Sequence, residues 1–337
     1  MKSVAGQFTQ LESTLLTEAA QQLTQGELVA FPTETVYGLG ADAENPQAVA
    51  KIYAAKGRPQ DHPVIVHLAQ GASLTHWATD IPQTAYVLIE AYWPGPLTLI
   101  LKRNPAIPDA VSKGANTIGL RCPAHPMAQA LLSQFRHGQG GVAAPSANRF
   151  GRISPTTAGH VRDEFGDDLM ILDGGACEVG IESTIVDLTN MPPVLLRPGQ
   201  ISKADLESKL GIHILSKAEV EAKGEQAQAH SGSLAAHYAP RTSMAVLDAA
   251  SLANEAAQLI GQGKRVGVLV RNAINSNVGQ QIVLSDDPAH YAHDFYAALR
   301  TLDRLQFDMI LVQALPDNEA WQGVADRLGR AAVGAGK

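Results

Sequence analysis

Between Ser13 and Gln25 the apolar residues fall at Leu15, Leu16, Ala19, Ala20 and Leu23, the stripe of an amphipathic helix closed by Gly26. Leu28 to Phe31 then reads as a short buried strand, and Pro32 to Ala43 as a polar, glycine-bearing loop. Asn45-Pro46 starts a second helix, with a capping residue followed by proline in the first turn; it runs to about Ala55 and delivers Lys56 and Arg58 at its end. Val64 to Leu68 alternates as a strand that sets Ile65 and His67 on one face. Leu97 to Leu101 is another strand, entered through the rigid Trp93-Pro94-Gly95-Pro96 turn. In the strand around Asn116 to Pro123, Thr117, Gly119 and Arg121 share one face, and Ile118, Leu120 and Cys122 share the core face. Gly140 to Ala144, Glu182 to Asp187 and Val194 to Arg197 continue the series.

After Ser202 the pattern changes. A helix from Lys203 to Leu210 leads to a polar stretch, with Lys217 to Ser233 read as the link to a second layer. Strands at Met244–Leu247, Val266–Val270 and Met309–Val312 alternate there with helices near Leu252–Gln262, Tyr291–Leu305 and Gln322–Arg330. The alternation predicts a smaller α/β domain. His290 and His293 read as solvated helix positions.

A chain of 337 residues exceeds the usual limit of a single core, so two domains are expected. A hydrophobic content of 45% and a charged content of 18% describe a globular protein. The net charge of −7 supplies no global attraction for nucleic acid, so a polyanion would have to meet a local patch. The two cysteines, Cys122 and Cys177, have no zinc spacing and read as free thiols. With no long apolar run and no signal peptide in Met1 to Gln10, a cytoplasmic location is expected.

The candidate chemistry lies in the connections. Lys56-Gly57-Arg58-Pro59-Gln60-Asp61-His62-Pro63 puts two cations and a histidine on a tight turn between helix and strand. A cation at a helix C-terminus also suits the helix dipole, but the Gly-Arg-Pro turn is less readily explained that way. Arg121, Arg149, Arg152 and Arg197 likewise fall at strand ends or in loops, interleaved with Thr35, Thr117, Ser146 and Ser183. The loop Pro145 to Thr156, with its hydroxyls, Asn148 and arginines before a helix start at Thr156, resembles a phosphate cradle. An anion-binding cleft follows. The Gly38-x-Gly40-x-x-Ala43 string is not a dinucleotide fingerprint, because its first glycine stands seven residues beyond the strand and no acidic residue follows at the required strand end.

In order, FPTETVYGLGADA, KGRPQDHPVIVHL, YWPGPLTLIL, TIGLRCP, AAPSANRFGRISPT, DGG, GIESTIVD, LLRPG and HYAP resemble the two-domain YrdC-like L-threonylcarbamoyladenylate synthases. The resemblance implies a twisted mixed-sheet YrdC-like domain over 12–202 with a concave basic cavity. A linker over 203–240 that includes HYAP, and a small Rossmann-like α/β domain over 241–337, complete the arrangement. It implies that L-threonine, bicarbonate and ATP give threonylcarbamoyl-AMP and pyrophosphate for the N6-threonylcarbamoyladenosine modification of tRNA. By the same resemblance Thr35, His67, Arg121 and Ser183 hold threonine. Lys56, Arg58, His62, Thr117, Ala144, Ser146, Asn148, Ser154, Arg197 and Tyr238 form the nucleotide side, with Lys56 and Arg58 the catalytic cations. Mg2+ is expected to ride on the phosphates, with no dedicated protein metal site. The implied partners are the tRNA threonylcarbamoyl-transferase proteins; direct contact with tRNA stays open, and no membrane is involved.

The chain departs from the family in two places. His62 stands where many members carry asparagine, and SGSLAAHYAP lacks the basic residue that precedes HYAP elsewhere, so the lid role of the linker rests chiefly on Tyr238. Two other readings compete. A carbamoyltransferase of the hydrogenase-maturation type would carry zinc-finger cysteines that are missing here. A ribosome-associated RNA-binding module would carry aromatic stacking strings and a basic balance.

Overall fold

The computed structural model describes residues 8–59, 62–222, 228, 232 and 234–336. Gln60 and Asp61 of the cationic turn, most of the stretch 223–233, and Lys337 lie outside the described residues.

Two sheets carry the fold. The first is built from β1 (Val29–Phe31), β2 (Gly38–Asp42), β3 (Ile65–Leu68), β4 (Ala78–Thr79), β5 (Leu97–Arg103), β6 (Thr117–Arg121), β7 (Gly141–Ala143), β8 (Met170–Ile171), β9 (Thr184–Asp187), β10 (Val194–Arg197) and β11 (Leu215–Ser216). Among the described residues their order is β11-β10-β9-β5-β6-β3-β7-β2-β1-β8, with β4 paired to β5. The sheet is mixed: β3 and β6 run parallel, as do β5 and β9, whereas β2, β7 and β3 pair antiparallel. Its faces are covered by apolar layers that include Leu39, Ala41, Ile52, Val66, Leu99 and Leu120 on one side and Phe31, Leu131, Phe135 and Val142 on the other.

β2 falls where the pattern predicts loop. Its two glycines misled the pattern, yet they are what the strand needs: a Cβ on Gly40 would lie 2.8 Å from both Phe31 Cε1 and Val142 Cγ1. Glycine here lets β2 pass close beneath an aromatic ring.

The helix Pro46–Lys56 forms as expected. The Asn45 side chain accepts from Gln47 N and Ala48 N, Pro46 opens the first turn, and Gly57 at φ +60° ends it in the left-handed conformation. That stop turns Lys56 and Arg58 inward instead of along the helix axis.

The second sheet, β12 (Met244–Leu247), β13 (Val266–Val270), β14 (Gln280–Val283) and β15 (Met309–Gln313), is wholly parallel in the order β12-β15-β13-β14. β14 escaped the pattern because it is a polar, half-exposed edge strand. The helices Ala249–Gly261 and Pro288–Arg304 begin about one turn earlier than their apolar stripes, capped by Asp248 and Asp287.

Within 203–240, expected as linker with a helix from Lys203 to Leu210, that helix is present and a short strand and a second helix follow it. The helix Lys203–Leu210 is closed by a Ser202/Asp205 capping box and buries Leu206 in the first core, and β11 adds to β10 in parallel. The helix Lys217–Ala222 buries Val220. Polar composition concealed a docked edge. The domains then meet across an apolar cluster that joins Val36, Ile153, Val179, Ile181 and Tyr238 to Tyr291, Phe295, Tyr296, Trp321 and Val324.

Candidate active site

The connections that carry the candidate residues converge at one end of the first sheet. His67 of β3 and Arg121 of β6 are register partners on adjacent parallel strands. The turn between β1 and β2 contributes Thr33 and Thr35, whose hydroxyls are 2.8 Å apart. Ala144 and Ser146 follow β7, Ser183 precedes β9, and Arg197 ends β10. With Lys56, Arg58, Glu182, Gly232, His237 and Tyr238, these residues enclose an internal space of about 40 Å3.

Each charged group is held from behind. The Lys56 ammonium donates to the carbonyls of Ser146 and Asn148. Burial, reinforced by neighbouring Arg58, pushes its pKa well below the ordinary lysine value. Arg58 donates to Pro63 O at 3.1 Å and lies 5.9 Å from the Tyr53 ring. Arg121 Nη2 is 2.7 Å from Glu34 Oε1, but neither atom completes a hydrogen bond. Glu34 is also fixed by Ala124 N, which donates to Oε2 at 3.0 Å. Arg197 donates from Nε to Ser183 O at 3.0 Å and from Nη2 to Ser183 Oγ at 3.1 Å, so the arginine orients the serine. Ser183 Oγ is in turn 2.8 Å from Thr98 Oγ1.

His67 is buried with Nδ1 lacking a hydrogen-bond partner. Burial, then the nearby Arg121 charge, drives its pKa down to about 3, so the ring is a neutral polar contact. Burial likewise brings His237 down to about 3 and raises Tyr238 to about 12. Among the described residues the Tyr238 hydroxyl has no hydrogen-bond partner. Its backbone is left-handed at φ 61°, and its ring meets His237 edge-on at 4.1 Å.

Ten of the candidates therefore line one cavity: Thr35, Lys56, Arg58, His67, Arg121, Ala144, Ser146, Ser183, Arg197 and Tyr238. Four others stand outside its lining. His62 stacks on Phe150, with ring centres 6.2 Å apart. Thr117 Oγ1 donates to Gln228 Oε1 at 3.2 Å, under the linker. Asn148 braces its own loop by donating to the carbonyls of Arg149 and Arg152. Ser154 bonds Glu182. Two of the arginines read as part of the anion cleft do not reach it: Arg149 engages Glu164, and Arg152 pairs with Asp303 at 2.9 Å. The Pro145–Thr156 loop is thus shared between the site and the domain interface. Thr33, whose hydroxyl at strand spacing from that of Thr35 suits a small polar ligand, also joins the lining; sequence reasoning missed Glu182 and His237, which carry no signal beyond lying inside the motifs.

A larger cleft of about 590 Å3 lies between the domains. Four of its charges are engaged in the Arg152–Asp303 and Arg300–Glu164 pairs, each at 2.9 Å, and none of the fourteen candidate site residues lines it. Among the described residues no group of three or more His, Cys, Asp or Glu side chains is placed to hold a metal ion. The one carboxylate in the cavity wall, Glu182, is committed to Ser154, Tyr296 and Arg327.

A family model described as "Telomere recombination" matches residues 21–199, and one described as "Threonylcarbamoyl-AMP synthase, C-terminal domain" matches residues 201–333. The threonylcarbamoyl-AMP synthase of Pyrococcus abyssi is 38% identical over 320 residues, covering 93% of this chain and 92% of that protein. The chain belongs to the threonylcarbamoyl-AMP synthase family. The family member of Bacillus subtilis is 38% identical, with 95% of this chain and 93% of that protein covered. In solved structures, Pyrococcus abyssi Sua5 complexed with L-threonine superposes with a TM-score of 0.87 at 36% identity, covering 96% of this chain and 95% of the other. Family membership accounts for the mixed sheet, the appended parallel domain and the order of the motifs together. Among the described residues no helix is long and apolar enough to cross a membrane.

Proposed function

We propose that this enzyme makes threonylcarbamoyl-AMP and pyrophosphate from L-threonine, bicarbonate and ATP, working in the cytoplasm. The adenylate passes to tRNA threonylcarbamoyl-transferase proteins for N6-threonylcarbamoyladenosine formation in tRNA. The observation that carries this reading is the joining of two unlike walls in one cavity. Thr35, His67, Arg121 and Ser183 suit a small zwitterion, and Lys56, Arg58 and Arg197 suit a polyphosphate.

Arg121 has donor capacity left by its imperfect pairing with Glu34, and would grip the threonine carboxylate. His67, being neutral, adds no repulsion toward the amino group. The carbamate formed from threonine and bicarbonate then attacks the α-phosphorus of ATP, the bond to the bridging oxygen breaks, and pyrophosphate leaves with its electrons. Lys56 and Arg58 face the charge that develops there, preorganised by the carbonyls that already hold them. The cavity's single carboxylate among the described residues, Glu182, is already engaged, so Mg2+ would enter with ATP and would supply charge neutralisation at its phosphates.

A space of about 40 Å3 is far below the roughly 300–1,000 Å3 of ordinary small-molecule sites. Gly232, His237 and Tyr238 belong to its lining, so the site has to widen for a nucleotide to enter. His62, Thr117, Asn148 and Ser154 would meet the nucleotide in that opened arrangement.

The test is pyrophosphate release by purified protein with Mg2+ and ATP, omitting threonine and bicarbonate in turn. Release that needs both supports the reading. Release that ignores threonine overturns it in favour of a plain ATPase or a carbamoyltransferase.

A further inference from the structure

Arg327, on the helix Gln322–Ala335 of the C-terminal domain, is a fully buried charge at 0% exposure, yet it does not line the cavity. Its guanidinium spreads its donors over the back of the site. Nε donates to Glu182 Oε2 at 2.9 Å, Nη2 to Glu182 O at 3.0 Å, and Nη1 to Pro198 O at 2.6 Å. Glu182 immediately precedes Ser183, and Pro198 immediately follows Arg197. One side chain from the second domain therefore clamps the two loops whose next residues, Ser183 and Arg197, bond each other in the cavity wall.

The Glu182 carboxylate completes the arrangement. It accepts from Ser154 Oγ and from Tyr296 OH, the latter at 3.1 Å. Burial alone would raise its pKa, but Arg327 and Arg197 outweigh that and hold it below the usual glutamate value, so it stays ionised. The approach of the domains at this point is close: a Cβ on Gly323 would stand 3.1 Å from Gly199 O.

We propose that Arg327 is a positioning residue for the reaction, through which the C-terminal domain sets Ser183 and Arg197 by way of Glu182 and Pro198. The proposal rests on the function argued above. It explains why a domain that contributes no side chain of its own second sheet to the cavity is joined to it through a buried charge. A merely adhesive contact would be met by apolar residues, which cost no desolvation.

The experiment compares wild type with Arg327→Met, Glu182→Gln and the double variant in threonine-dependent pyrophosphate release, with circular dichroism to verify the fold. Asp303→Asn is the control: it removes the Arg152 pair at the same interface, away from the cavity. The expected result is a KM for threonine raised about tenfold or more in both single variants, with kcat changed about threefold or less. The double variant should be no worse than the poorer single one, because both act through one linkage. Asp303→Asn should keep the wild-type KM while losing stability. Unchanged KM in a folded Arg327→Met, or losses that multiply in the double variant, would overturn the proposal. If Arg327→Met fails to fold, Arg327→Lys, which keeps the buried charge but lacks the fork that bonds both loops, decides by the same KM criterion. A wild type that releases pyrophosphate without threonine fails the functional reading itself, which separates the two failures.

Discussion

Tyr238 and His67 show how single residues tie this site to stability. Among the described residues the buried Tyr238 hydroxyl has no hydrogen-bond partner, so in this arrangement it costs the folded state something and gains nothing. Tyr238→Phe should therefore leave the denaturation midpoint unchanged or slightly higher while raising the KM for ATP. A fall in stability with unchanged KM would show that the hydroxyl is structural. His67 and His237, both at about 3, and His160 at about 4, stay neutral in the folded chain while an ordinary histidine titrates near 6.5. Between those values the unfolded chain binds more protons, so stability rises with pH and is lost as pH falls below the ordinary value. The slope should be on the order of 1 kcal/mol per pH unit for each of the two more buried histidines. Urea unfolding at neutral pH and near pH 5 measures it (roughly the window over which ordinary histidines charge), and equal stability at the two would contradict this account.

At the scale of elements, helices with strong caps were legible and the strand β2, with two glycines in five residues, was not. Asn45-Pro46 and the terminal Gly57 state both ends of their helix locally, and that helix delivers two of the cavity's cations. β2 failed because its evidence is non-local: glycine reads as loop until Phe31 and Val142 are known to lie against it. Gly141 lies in β7, a strand the pattern did show, and is just as crowded: a Cβ there would stand 2.5 Å from Trp77 Cζ2 and 2.6 Å from Val66 Cγ1. Gly141→Ala should destabilise the protein by about 1–3 kcal/mol, read as a lowered denaturant midpoint. An unchanged midpoint would mean that the Trp77 ring moves aside freely. The cations at Lys56, Arg121 and Arg197 could be picked out because each ends an element, and Arg58 because it stands in the turn just beyond one. Arg149 and Arg152 share that kind of position, and only the second domain, by presenting Asp303, explains why Arg152 turns away.

For the whole molecule, the sequence pattern separated two α/β layers but could not say how they touch. The contact depends on residues such as Ile181, Tyr296 and Arg327, which are far apart in the chain and individually ordinary. Gly180, at φ 80°, marks the closest approach: a Cβ would lie 2.4 Å from Ala292 O on the helix Pro288–Arg304. Gly180→Ala combines backbone strain with that clash and should cost about 1–3 kcal/mol or more, seen as a lower melting temperature. An unaltered melting temperature would show that the interface yields. The central claim is that the cavity joins threonine, a carbonate carbon and AMP in one molecule. Incubation of the protein with threonine, Mg2+, ATP and 13C-labelled bicarbonate, followed by mass spectrometry of the nucleotides, tests it directly. The account predicts an adenylate that carries both the threonine mass and the labelled carbon. An adenylate without the label, or ADP as the nucleotide product, would contradict it.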